Sequence, residues 1–279
     1  MAMKMMKQFF ILTAILFATF NLSAQNEPVQ QAENNVSNDL LKPANEVEAK
    51  NDLFQKANEA YSKNEFQEAA AIYEELLKTN GESAIVYYNL GNCYYKLNKV
   101  ASSILNLERA LLLNPGDKDI SFNLEIAKLK AVDRIEPIED FFLTQWFRAI
   151  QNLMSTDAWS NFSFTCFILI IICLFFFFFS RRIFIKKLGF FIGVGLLICV
   201  VFGNCFAYNQ KKKLTQRKEA IIFAPTTTIK SSPDNSGTDL FNLHEGTKVR
   251  LKNSLGGWNE IETADGNIGW IKSSEIEVI

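Results

Sequence analysis

The sequence predicts a multidomain chain: an all-α array of helical repeats, a two-helix transmembrane hairpin and a C-terminal all-β barrel. Three observations carry that expectation. Between residues 51 and 132 the pattern recurs at a spacing of 34, with Asn58 returning as Asn92, Tyr61 as Tyr95 and Leu77 as Leu111. Two apolar runs follow, each of about 20 residues, which is enough to cross a hydrocarbon core of about 30 Å. From Ala220 the period drops to two, as in Val249 and Leu251, then Ile268 and Trp270.

The 279 residues are 48% apolar and carry a net charge of −1. Near-balanced charge without a long one-sign block gives no argument for nucleic acid as a partner. Residues 1–24 place Lys4 and Lys7 before a short apolar run and small residues ending at Ala24. This is a signal-peptide layout with cleavage expected near Ala24, an uncleaved anchor being the alternative. Residues 25–50 are polar and contain no aromatic residue, so they read as a disordered linker.

Helical periodicity then runs from Asn51 to about Val132. The segment YYNLGNCYYKLN, residues 87–98, carries tyrosines on two faces of one helix. Tyr87, Leu90, Gly91 and Tyr94 share the first, and Tyr88, Asn92 and Tyr95 the second. A surface helix normally offers the core a single apolar stripe, so the second face is free for recognition. Leu90-Gly91, Tyr94, Ser103, Leu107, Ala110 and Pro115 in one copy, and Ala57, Phe66, Ala69 and Tyr73 in the other, resemble the tetratricopeptide repeat. That resemblance implies a groove lined by the first helix of each repeat. Its residues here would be Phe54, Asn58 and Tyr61 in the first copy and Tyr88, Asn92 and Tyr95 in the second, with Lys96 at the rim. Amide and phenol groups on a rigid helix face suit an extended peptide. The competing reading packs these side chains against neighbouring helices. Residues 117–132 supply a capping helix, with Asp117 or Asp119 as N-cap and Leu124 in phase with Leu90.

Residues 138–158 bring Phe142, Trp146, Phe147, Ile150, Leu153 and Met154 together at helical spacing, as in an amphipathic interfacial helix. A core helix of the repeat domain is the alternative. Transmembrane helices are expected over 159–180 and 188–208, joined by RRIFIKK. Export of the N-terminus and two spans put both soluble domains on one side, the periplasmic side of the inner (cytoplasmic) membrane. Arg181, Arg182, Lys186 and Lys187 then lie inside, as the positive-inside rule asks, whereas Lys211, Lys212, Lys213, Arg217 and Lys218 pull the other way. Gly189 and Gly193 form one GxxxG, a potential helix contact.

Residues 220–279, with LHEGTKV, Trp258, Ile261 and DGNIGWI in order, resemble a bacterial SH3-like domain. The resemblance implies a barrel of five to six strands. Asp265-Gly266 marks a hairpin turn. Trp258 and Trp270 are expected first as core or barrel-mouth residues and second as a ligand surface.

The five cysteines form no CxxC pair and His244 is the one histidine, so no catalytic site, cofactor or metal centre is expected. The whole order of blocks, and LNLERALLLNPGDKDISFNLEIAKLKAVDRIE in particular, resembles the BatE family of the bacterial aerotolerance (Bat) operon. That implies partners with von Willebrand factor A domains, a MoxR-type ATPase encoded alongside, and a role in envelope stress. The expected function is a membrane-anchored protein-interaction scaffold, not an enzyme. The alternative is an envelope sensor binding peptidoglycan or peptide through the SH3-like domain.

Overall fold

The computed structural model describes residues 42–136, 138 and 141–279; the predicted signal peptide, and the predicted linker as far as residue 41, lie outside them. The first helix, α1 (Lys42–Ser62), starts ahead of the expected boundary at Asn51. Residues 42–50 are therefore helical rather than linker. Their Ala, Glu and Lys content favours helix, and Pro43 sits in the first turn, where a missing N–H costs nothing.

Four helices complete the array: α2 (Phe66–Asn80), α3 (Ala84–Lys96), α4 (Val100–Leu113) and α5 (Lys118–Lys128). The repeated Asn64 and Asn98 sit in the turns within each helix pair, with left-handed φ of 63° and 58°. Asn reaches that region more cheaply than other residues with a Cβ. A Cβ added to Gly91 would stand 2.7 Å from Leu107 Cγ and 3.2 Å from the Leu107 backbone nitrogen. Glycine is what lets α3 and α4 close, and Ser103 Oγ ties the pair by donating to Gly91 O at 2.9 Å. Ala57, Ala69, Tyr73, Leu76, Leu90 and Cys93 form the core of the first three helices. There burial pushes the Cys93 thiol up to about 12, so it packs as a small apolar group. The capping helix is present. Asp117 is its N-cap, accepting from the Asp119 and Ile120 amides at 3.0 and 3.2 Å, and Leu124 is buried.

A short amphipathic helix, α6 (Phe142–Gln151), precedes the hairpin. It is briefer than the expected 138–158. Phe142 and Trp146 are exposed, while Phe147 meets Phe206 edge-on at 5.0 Å. A core helix of the repeat domain would have buried the first two, so that alternative is excluded.

The hairpin pairs α7 (Thr156–Phe179, 24 residues) with α8 (Ile183–Gln216, 34 residues), each long and apolar enough to cross a membrane. At 1.5 Å per residue they measure about 36 and 51 Å. The second runs well past the apolar segment, because Lys, Gln and Leu after Tyr208 are good helix formers. The connection is shorter than RRIFIKK: Lys186 and Lys187 already lie on α8. Asn204, the one polar interruption, donates to Ser163 Oγ at 2.6 Å across the pair. Gly189 approaches the Cys173 carbonyl, so the GxxxG does mark a helix contact.

The last domain is one antiparallel sheet of seven strands, β1 (Glu219–Ile222), β2 (Thr226–Lys230), β3 (Asp239–His244), β4 (Lys248–Leu255), β5 (Trp258–Glu262), β6 (Ile268–Lys272) and β7 (Ile276–Val278), in the order β3-β2-β6-β5-β4-β1-β7. Five or six were expected; β7, of three residues, is too short to show a period. Gly256-Gly257 closes β4–β5, and the expected Asp265-Gly266 turn closes β5–β6 with Gly266 at φ 84°. Ile222, Ile229, Val249, Ile261 and Ile271 fill the core.

Residues Lys50–Ile279 make one compact unit, and its least expected feature is the joint between repeat array and sheet. Ile104, Leu105 and Leu107 of α4 share a buried cluster with Ile221 and Ile279. Gly246, at φ 86°, lets its turn lie on Ile104 and Val100, 3.1 and 3.3 Å from where a Cβ would stand. Inside the joint, Glu108 is ion-paired to Lys128 at 3.1 Å and Lys248 at 2.8 Å, and Lys248 also reaches Glu219 at 2.8 Å. Asp133 accepts from the His244 amide and from Thr247 Oγ1, both at 2.7 Å, and its Oδ1 lies 2.7 Å from His244 Nδ1.

Acid is expected to open this joint. Burial works against the Glu108 carboxylate, but Lys248 and Lys128 outweigh it and hold the group below the usual range. Burial likewise opposes ionisation of Asp133, and the hydrogen bonds from Thr247 and His244 overcome it. Depressed carboxylates stabilise fully above their unfolded values near 4 and lose that contribution as pH falls through the folded values. Lys248 is raised, burial being outweighed by Glu108 and Glu219, so its contribution is lost only above its unfolded value of about 10.4. Tryptophan fluorescence followed through an acid titration should show loosening below about pH 4, and Glu108→Gln should blunt it.

Candidate protein-interaction face

The first helices of the repeats are α1 and α3, and α5 occupies the place of a third. The spacing that relates Asn58 to Asn92 also relates Phe54, Tyr88 and Phe122, then Tyr61, Tyr95 and Leu129, then Asn89 and Asn123, then Lys96 and Lys130. Aromatic and amide side chains thus recur in register along the array.

The amides are linked. Asn123 Nδ2 donates to Asn92 Oδ1 at 3.0 Å and to Tyr88 Oη at 2.8 Å. One repeat earlier, Asn89 Nδ2 reaches Asn58 Oδ1 at 3.5 Å, and Tyr73 Oη donates to the same oxygen at 2.6 Å. Lys130 Nζ stands 3.9 Å from the Tyr95 ring centroid and donates to Tyr95 O and Asn98 Oδ1. These bonds fix side chains that would otherwise lose rotamer freedom on meeting a ligand.

Each expected residue has a definite place. Phe54 and Tyr61 are half-buried beside the first core, edge-on to Tyr73 and Phe66 at 6.0 and 5.2 Å. Tyr88 and Tyr95 are half-buried beside the second. Asn58 and Lys96 are exposed, and Asn92 is half-buried. Tyr88 and Tyr95 thus pack against a neighbouring core while part of their surface remains accessible. Phe122 (65% exposed) and Leu129 (70%) continue the stripe onto the capping helix with little cover.

Asn89, Asn123 and Phe122 were not anticipated. Extending the spacing of 34 one step further, from Tyr88 and Asn89, would have found Phe122 and Asn123. The carboxylate of Glu74 accepts a hydrogen bond from Tyr94.

Trp258 and Trp270 come out differently. Trp258 pairs with Lys272 and Trp270 with Glu260, which puts both rings on the face opposite Ile261 and Ile271. They are diagonal neighbours outside the inner core. Trp258 is nevertheless buried, with Lys272 Nζ 5.7 Å from its ring centroid, and Trp270 is half-buried.

A row of stacked helix pairs presenting matched polar and aromatic positions is a repeat-type interaction module. Residues 54–124 match the tetratricopeptide repeat family, a stretch that runs from Phe54 on α1 to Leu124 on α5. No curated protein matches the chain at a significant level.

Proposed function

We propose that the protein is a membrane-anchored scaffold of the cell envelope that holds protein partners on the aromatic and amide face of its repeats. The observation that carries this is the register of Phe54, Tyr88 and Phe122, ending in a ring that is 65% exposed. An exposed aromatic in phase with pre-ordered amides is a ready anchor point for an extended chain. On this reading the hairpin spans the inner membrane and the chain works without catalysis. His244, bonded to Asp133 in the joint, is read as a structural staple.

The shared core of α4 and β1 supports a same-side arrangement: domains flanking a two-helix hairpin can pack together only if both spans cross or neither does. On this reading the signal-peptide layout of residues 1–24 exports the N-terminus and makes that side periplasmic. The resemblance to the BatE family supports placing the scaffold in a stress-related Bat complex whose partners carry von Willebrand factor A domains. On the same reading the sheet is an SH3-like domain. Its docking on the array and the burial of Trp258 favour a contact role over capture of peptidoglycan.

Reporters active only outside the cytoplasm, attached at Val132 and at Ile279, test the topology. Activity at both positions is expected. Activity at one alone would show that only one span crosses.

A further inference from the structure

At the foot of the hairpin, α6, the end of α8, α4 and the start of the sheet enclose a cleft of about 590 Å³. Arg148, Lys212, Lys213, Lys218, Lys248 and Arg250 line it. Of the two acidic side chains among its described lining residues, Glu108 is held by Lys128 and Lys248, and Glu219 by Lys248. Arg250 is paired with Glu262 at 3.3 Å, and Lys212, Lys213 and Lys218 leave positive charge in excess. Gln151 also lines the cleft; it is 5% exposed, and its side-chain Nε2 has no hydrogen-bond partner among the described residues. A buried donor without an acceptor costs stability, and an oxygen ligand in the cleft would relieve it.

The depth of the cleft identifies the ligand. Its α8 wall begins at Asn209, directly after the apolar run, and Lys213 lies about 7–8 Å beyond Tyr208 along the helix. The exposed Trp146 and Phe142 on α6 are the side chains that settle at the headgroup level. We propose that the cleft binds the phosphate of an acidic phospholipid headgroup from the leaflet that faces the soluble domains. This assigns a use to the basic residues 211–218, which otherwise oppose the positive-inside pattern. It rests on the reading of the hairpin as membrane-spanning.

The test uses the purified full chain in nanodiscs of phosphatidylcholine, with or without phosphatidylglycerol, and native mass spectrometry of the lipid retained after detergent stripping. Retention of phosphatidylglycerol over phosphatidylcholine is expected. The triple variant Lys212→Gln, Lys213→Gln, Lys218→Gln changes exposed side chains and should lose that preference about tenfold or more. A second triple variant, Arg181→Gln, Arg182→Gln, Lys186→Gln, removes equal charge at the other end of the hairpin and should retain it. Equal retention by wild type and the first variant, or equal loss in both variants, would overturn the proposal. So would full displacement of the lipid by inorganic phosphate, which would make the site one for a soluble anion. Extraction of the chain from liposomes by alkaline carbonate would instead refute the membrane reading itself.

Discussion

Replacing Glu108 by alanine is expected to cost the folded protein about 3–5 kcal/mol, the range for removing one partner of a buried ion pair. The Glu108 side chain is 6% exposed, and both of its oxygens face ammonium groups. Without it, Lys248 is left between α4 and the sheet with Glu219 alone, which places the loss toward the lower end of the range. Lys128 is the more exposed partner and can turn to water. The damage should therefore concentrate at the joint rather than in the repeats. Hydrogen exchange should rise first in β1, β4 and α4, ahead of α2 and α3. Glu108→Met combined with Lys248→Met should recover most of the loss, since it removes both charges. Urea unfolding of the full chain in micelles checks the magnitude; a change below about 1 kcal/mol would mean that the pair is effectively solvated.

The second large effect is on binding. Asn92→Ala with Tyr95→Ala should lower partner retention by at least about 2 kcal/mol, roughly thirty-fold, as when an interface anchor is truncated. The folded state should lose less. Asn123 keeps its bond to Tyr88 when Asn92 is gone, and Lys130 keeps Asn98 when the Tyr95 ring is gone. Up to about 2 kcal/mol of stability is the expected sum of one half-buried hydrogen bond, one exposed cation–π contact and the packed part of the Tyr95 ring. Phe122→Ala is the cleaner companion. Its ring is mostly exposed, so stability should move by no more than about 0.5 kcal/mol while binding falls. Co-purification from detergent, alongside thermal melting, separates the two quantities.

The periodic parts of the molecule were legible in the sequence. Spacing located the helix pairs, N-cap preference narrowed the start of the capping helix to Asp117 or Asp119, and apolar length located the hairpin. What periodicity could not disclose is the joint. Glu108 and Lys248 lie in different domains with the whole hairpin between them, and no local pattern announces their pairing. Two helix boundaries depart from what composition alone implies. Residues 42–50 looked like linker because they lack aromatics, although their side chains favour helix. The end of α8 was set at the loss of hydrophobicity, although Lys and Gln continue a helix well. The outward face of Trp258 depends on strand register, which alternation alone does not fix when both faces carry large residues.

On the proposed function, the face marked by Phe122 contacts a protein partner in the cell envelope. A photo-crosslinking amino acid placed at Phe122 of the full chain in intact cells tests it most directly, with a second placed at the exposed Lys78 on α2 for comparison. An adduct of defined mass is expected at position 122, absent at position 78, that disappears when Asn92→Ala and Tyr95→Ala are added. No adduct at 122, the same adduct from both positions, or an adduct indifferent to the double substitution would contradict it.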